Sequence, residues 1–213
     1  MAFRVTPILD SGVGADANPI GGNWTLMTDS AGVGVTNLRR VSNQIGGQAG
    51  TASVDYWNPG TFNANCEIYC QIQAIGAAAS FVDLYFRGKD TASILTFDAY
   101  SVRWTVAAGT DTITLNRLDN LAATTLATFN QDIAAGDWFG AQIIGSTLTA
   151  FYESAAGAVT VLGTATDSTY TAGGYHTMAI NGTTNRVTNF GGGNFTSPAF
   201  RRRFRSFSGL IVR

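Results

Sequence analysis

Apolar and polar residues alternate with a period close to two along almost the whole chain, and no stretch of useful length carries a helical repeat. In FVDLYFRG, Val82, Leu84 and Phe86 take one face of a strand, and Asp83, Tyr85 and Arg87 take the other. In TITLNRL, Ile113, Leu115 and Arg117 oppose Thr114, Asn116 and Leu118, a less clean split. In TLTAFYE, Leu148, Ala150 and Tyr152 oppose Thr149, Phe151 and Glu153. Several strands thus carry a large residue on both faces. One face faces a partner sheet, and the other is half-apolar, as expected if another element or subunit covers it.

This pattern predicts strands at 24–28, 33–41, 52–57, 65–75, 81–87, 94–98, 101–107, 112–118, 125–130, 138–144, 147–153, 158–163, 176–181 and 186–191. Turn signals separate them: GGQAG, NPG, RGKD, AAGTD, AAGD, ESAAG, TAGG, NGTT and GGGN. Short strands punctuated by glycine-rich turns make a sandwich or a barrel. The organisation expected is an N-terminal arm over 1–19, a β-sandwich over 20–196 and a tail over 197–213, with no second domain.

Composition narrows the chemistry. Only 13% of the 213 residues are charged, against roughly a quarter in an ordinary domain. The 45% hydrophobic content is enough for a full core. There is one lysine (Lys89), one histidine (His176) and two glutamates (Glu67 and Glu153), so few parts for acid–base chemistry. No run of about 18 apolar residues could span a membrane as a helix. The start, MAFRVTPILDSGVGAD, has no apolar core of signal-peptide length, so a secretory route is not expected and three Asn-x-Thr triplets carry no weight. GVGADANPIGG is not a dinucleotide-binding element, since no helix follows it.

The two cysteines lie in NCEIYCQIQ. On a strand, Cys66, Ile68, Cys70 and Ile72 share one face, and Glu67, Tyr69, Gln71 and Gln73 share the other. Residues four apart on a strand are roughly 13 Å apart, beyond the about 7 Å limit of a disulfide. Both are expected as small core thiols.

Read in order, PIGGNWTLM, NCEIYCQI, FVDLYFRGKD, YSVRW, ITLNRLD, AAGDWFGAQIIGSTLTAFYE, STYTAGGYHTMAI and RVTNFGGGNF resemble the concanavalin A-like (laminin G-like) jelly roll. The resemblance covers about residues 18–196 and implies an all-β, two-sheet antiparallel sandwich. In style, with its neutral Thr/Ala/Gly surface, the chain is also similar to modules of tailed-phage virion proteins. The fold hosts lectins, glycosidases and inert structural modules, so it does not decide function.

Glycoside hydrolysis needs two carboxyls facing one bond; the E-x-D-x-x-E strand of glycosidases with this fold does not occur, and Glu67 and Glu153 lie on distant strands. His176, at a strand start, is the only imidazole for a triad. No catalytic residue and no cofactor are expected. Some relatives hold calcium between the arm and the closing strand; Asp10 or Asp16 could supply one ligand, but Asn189 stands where related sequences often carry Asp, and no metal is expected. For a glycan, Asp83, Tyr85, Arg87, Tyr100, Arg103 and Trp104 are the candidate patch on one sheet face.

The tail differs from the body. All 14 acidic residues precede residue 198, while Arg201, Arg202, Arg203, Arg205 and Arg213, five of the 13 basic residues, follow it. The body therefore carries −6 and the tail +5. Phe200, Phe204 and Phe207 interleave with the arginines. Arg and aromatic residues together suit a protein interface, so Phe200, Arg201, Arg202, Arg203, Phe204, Arg205 and Phe207 are expected to dock, either on the chain's own body or on another copy. Nucleic acid is not favoured, because no wider basic stripe exists.

These readings lead to a structural virion protein of a tailed phage, a capsid-decorating, head or tail component made in the host cytoplasm without a signal peptide. Its expected partners are other virion proteins and copies of itself, with no membrane. The alternative is a carbohydrate-binding or receptor-binding lectin-like module.

Overall fold

The alternation produces fifteen strands in the computed structural model, which describes residues 2–27, 34–48 and 52–195. They are β1 (Ile8–Asp10), β2 (Trp24–Leu26), β3 (Arg39–Val41), β4 (Gln44–Gly46), β5 (Ser53–Trp57), β6 (Cys66–Ala74), β7 (Phe81–Lys89), β8 (Asp98–Thr105), β9 (Thr112–Asp119), β10 (Ala122–Asn130), β11 (Trp138–Ile144), β12 (Thr147–Glu153), β13 (Val159–Thr166), β14 (Tyr175–Asn181) and β15 (Arg186–Asn194). Every ladder between them is antiparallel.

They form two sheets. One runs β13-β12-β11-β6-β15-β4-β3, with β1 also paired to β15, and the other runs β10-β9-β8-β7-β14-β5-β2. The core lies between them. Cys66, Ile68, Cys70 and Ile72 of β6 meet Val82, Leu84 and Phe86 of β7, as the alternation predicts. Both cysteines are buried free thiols. The expected two-sheet antiparallel sandwich is therefore the fold.

The outward faces are half-apolar because the chain covers them itself. On the seven-stranded sheet, Val54, Tyr85, Ala99, Leu118 and Ala179 pack under Met27, Ile94 and Phe97. On the eight-stranded sheet, Phe3 from the N-terminal segment packs with Tyr69, Trp138 and Phe151. The first 19 residues are thus continuous with the sandwich, and Ile8–Asp10 is one of its strands.

Three local details differ from the sequence reading. Of the strand expected at 33–41, the described residues from 34 on form strand only at Arg39–Val41. It returns as β4 through Ser42 and Asn43, both left-handed at φ 52° and 60°, a two-residue hairpin turn without the usual glycine. Residues 94–96 are a 3₁₀ turn, capped by the Ser93 hydroxyl accepting from the Leu95 amide. Arg87 does not continue the alternation: a bulge shifts the register between Phe86 and Lys89, and Arg87 has φ 53°.

Candidate functional site

The six residues expected as a glycan patch do not form one surface. Tyr100 and Trp104 are 0% exposed and lie in the inter-sheet core with Val102. The alternation of YSVRW already places both on the face of that valine, so they oppose Arg103. The Trp104 indole donates to Asp111, and the Tyr100 hydroxyl to Asp167. Asp83 and Tyr85 are buried on the opposite, outward face. The bulge turns Arg87 to the core side, where it donates to the carbonyls of Ala64, Tyr170 and Gly145 and ties three loops together. Only Arg103 reaches solvent, and it is bound to Asp83 at 2.7 Å with its guanidinium 4.3 Å over the Phe81 ring. Buried rings cannot stack on a sugar, which corrects that expectation. The expected docking residues, Phe200, Arg201, Arg202, Arg203, Phe204, Arg205 and Phe207, lie outside the described residues.

The groups considered for catalysis are committed elsewhere. The Glu67 carboxylate accepts from the amides of Arg4, Val5 and Thr6, from the Thr6 hydroxyl and from Gln142. Glu153 pairs with Arg4. His176 is fully buried, stacked at 3.7 Å on Phe62, with its Nε2–H donating to the Glu67 carbonyl. Burial pushes its pKa down to about 3.

The residues weighed for calcium do not fit a hard cation. Asp10 accepts from the Gly12 amide and the Trp24 indole, each at 2.7 Å, and from Arg40 at 3.4 Å. Asp16 accepts from the Ser42 backbone amide, and the Asn189 side-chain Nδ2 donates to Gln71 Oε1. Such a site needs several converging oxygens free of other donors; among the described residues no three His, Cys, Asp or Glu side chains cluster for a metal.

What the structure does assemble lies at the edge of the sandwich where β1, β2 and β3 meet. Ala17 bridges to Arg40 and the Ile20 amide donates to Leu38, so the segment after β1 follows β3. It then turns through Gly21 and Gly22, at φ 65° and 67°, and closes with the Trp24 amide donating to the Gly21 carbonyl. Two consecutive left-handed residues explain the glycine pair in PIGGNW. No atom would crowd a Cβ at Gly22, so the turn leaves open space.

Two adjoining clefts share Arg40. One, of about 280 Å³, is bordered by Asp10, Ser11, Gly22, Asn23, Arg40 and the Trp57 edge. The other, of about 310 Å³, adds Asp16, Asn18 and Arg39. Asp10 fixes the corner through Gly12, Trp24 and Arg40. The Arg40 Nε is buried without a hydrogen-bond partner, a cost that native structures rarely leave uncompensated. This is a polar site with arginine donors, carboxylate and amide acceptors and one indole edge. The sequence reading missed it, although an Arg39-Arg40 doublet in a charge-poor chain was a usable signal.

No protein-family model matches the sequence, and no curated protein does. Solved structures do match by fold. The carbohydrate-binding module CBM66 from Bacillus subtilis aligns over 80% of this chain and 95% of its own, at TM-score 0.61 and 15% identity. The exoplasmic/lumenal domain of VIP36, in its Ca2+/Man3GlcNAc-bound form, aligns over 84% of this chain and 87% of its own, at 0.64 and 10%. The CBM2 module of the evolved Dit of Lactobacillus casei BL23 phage J-1 aligns over 81% and 90%, at 0.52 and 12%. A prokaryotic β-1,3-1,4-glucanase shares the fold too, so the fold alone does not separate binding from catalysis. The resemblance to concanavalin A-like jelly rolls read from the sequence is shown by these neighbours.

Proposed function

We propose that the chain is a non-catalytic carbohydrate-binding module and that the Arg40 clefts hold the glycan. The observation that carries this is the edge site itself: two adjoining clefts that share Arg40, bordered by Asp10, Asn23, Asp16 and Asn18 beside the open turn at Gly22. Sugars present hydroxyls that accept from guanidinium and donate to carboxylate and amide oxygens in one ligand. The two binding modules and the sugar-bound VIP36 domain among the fold neighbours support the reading. So does the commitment of Glu67 and Glu153 to the N-terminal segment, which leaves neither carboxyl facing a sugar bond.

The phage neighbour favours placement on a virion, with the module displayed through contacts to other virion proteins. The neighbours support the lectin-like role more than a purely structural one. A glycan array probed with the full chain tests the function. Retention of a defined glycan class, weakened by Arg40→Ala and Asn23→Ala, is expected. No retention on any glycan would sink the binding reading. Mass spectrometry of purified particles tests the placement, and absence of the chain from them would count against it.

A further inference from the structure

The N-terminal segment is held on the eight-stranded sheet as a ligand is held in a receptor. The Ala2 carbonyl accepts from Gln142 Nε2 at 2.7 Å. The Phe3 ring is buried, stacked on Phe151 at 5.0 Å and 4°, and edge-on to Tyr69. The Arg4 guanidinium lies 3.9 Å over the Trp138 ring and binds both Glu153 oxygens. The amides of Arg4, Val5 and Thr6 all donate to Glu67, and the Tyr69 hydroxyl donates to the Thr6 carbonyl. Within the Ala-Phe-Arg tripeptide, the Ala2 carbonyl, the Phe3 ring, the Arg4 amide and the Arg4 guanidinium each have a dedicated partner. Two glycines shape the floor: the Tyr69 side chain lies where a Cβ on Gly140 or Gly191 would stand, 2.7 and 2.2 Å away.

The same tripeptide occurs a second time. Ala2-Phe3-Arg4 recurs as Ala199-Phe200-Arg201, followed by Phe204-Arg205. The closing strand delivers the chain to this corner. Asn194 pairs with Cys66 beside Glu67, the Phe195 amide donates to the Asn65 carbonyl, and a Cβ on Gly193 would lie 2.9 Å from Thr6. The +5 tail also complements the two glutamates that line the groove.

The direction of β15 bears on whose groove the tail meets. β15 runs antiparallel to β6, and Trp138 and Glu153 align with Gln71, further along β6. At Asn194 the chain stands opposite Cys66, the first residue of β6, roughly 17 Å from the Gln71 row, and β15 runs away from that row. The last described residues thus run away from the Arg4-binding end of the groove on their own body.

We propose that this groove is a Phe-Arg receptor and that its second ligand is Ala199–Arg205 of another copy, which displaces the resident strap and links the two bodies. The resident strap is tethered through β1 and has a high effective concentration, so it holds the groove in dilute solution. Copies crowded on one assembly supply the competing segment at comparable concentration, and the tail's extra arginines favour the exchange.

The test uses the full chain and a labelled peptide of residues 197–207 followed by fluorescence anisotropy. Weakening the strap with Phe3→Ala and Arg4→Ala together is expected to tighten peptide binding about tenfold or more. Adding Glu153→Gln to that variant is expected to abolish the gain. A peptide of the same composition in scrambled order should bind at least tenfold more weakly. Light scattering reads the linkage: the strap-weakened chain should form concentration-dependent oligomers, and Phe200→Ala with Arg201→Ala should return it to a monomer. No gain in the strap-weakened chain, equal binding of the scrambled peptide, or a strap-weakened chain that stays monomeric at every concentration would each overturn the proposal. Glycan retention reads a different edge of the molecule and is unaffected by either result.

Discussion

His176 is the only histidine in the chain, so its titration can be read directly. Its ring lies between Phe62 and the backbone of Gly192, where a Cβ would meet the ring at 2.6 Å. The neutral tautomer donates from Nε2 to the Glu67 carbonyl, and Nδ1 is buried with no partner. Protonation would bury a charge, and desolvation outweighs what the Glu67 and Tyr175 backbone offers it. The pKa falls from 6.5 to about 3. A depressed folded pKa means that the stability is present above the unfolded value and is lost as pH falls from about 6.5 towards 3. The full loss is about 5 kcal/mol, of which about 2 kcal/mol is gone at pH 5, at about 1.4 kcal/mol per unit.

Asp55 acts in the opposite direction. It is buried, accepts one hydrogen bond from the Leu38 amide, leaves Oδ1 unpartnered, and has its pKa raised by burial to about 7. Its contribution is fully present below about pH 4 and is lost as pH rises to about 7, so acidifying from pH 7 to 5 regains about 3 kcal/mol. The wild-type stability should therefore change by only about 1 kcal/mol between pH 7 and 5, the two groups nearly cancelling. Urea titrations at pH 8, 7, 6, 5 and 4 separate them. Asp55→Asn should unmask a fall of about 2 kcal/mol by pH 5, and the histidine proton resonances of the native protein should not titrate above pH 4. A native imidazole titrating near 6.5, or an Asp55→Asn profile as flat as wild type, would refute the reasoning.

Other substitutions test the packing. Arg4→Ala leaves Glu153, 7% exposed at its side chain, without its cation and should cost about 2 kcal/mol by urea melt, between the values for surface and buried pairs. Gly140→Ala would put a Cβ 2.3 Å from the Ile68 carbonyl and should cost about 3 kcal/mol or prevent folding. Trp104→Ala should lower stability by about 3–5 kcal/mol, read by thermal melt, and leave glycan retention by the folded fraction unchanged, because its ring is in the core. Burial pushes the Cys66 thiol up to about 12 and Cys70 well above its usual value, so thiol reagents should label neither until the protein unfolds.

The long strands were legible because their neighbours on both sheets impose one alternation over seven to nine residues. The faces of β6, β7 and β12 follow the sequence pattern until the bulge at Arg87, which no local residue announces. The strands β1, β3 and β4 are three residues each, too short to show a period. The Ser42-Asn43 turn lacks the glycine that marks a hairpin. The glycan patch failed for a different reason: it combined Tyr100 and Trp104 from one face with Asp83 and Arg103 from the other. Aromatic side chains suggest a sugar surface, while the alternation already places Tyr100 and Trp104 inside. The Arg40 site draws on residues 10, 23, 40 and 57, which only the pairing of β1 with β15, β2 with β5 and β3 with β4 brings together. The strap is equally non-local, since Phe3 and Arg4 find Phe151 and Glu153 about 150 positions away.

Calorimetric titration of a glycan retained on the array, into wild type, Arg40→Ala and Arg103→Ala, tests the central claim most directly. The account predicts about a tenfold or greater loss of affinity for Arg40→Ala, about 1.4 kcal/mol or more, and an unchanged affinity for Arg103→Ala. Loss confined to Arg103→Ala would place the glycan on the seven-stranded sheet face and contradict the edge site.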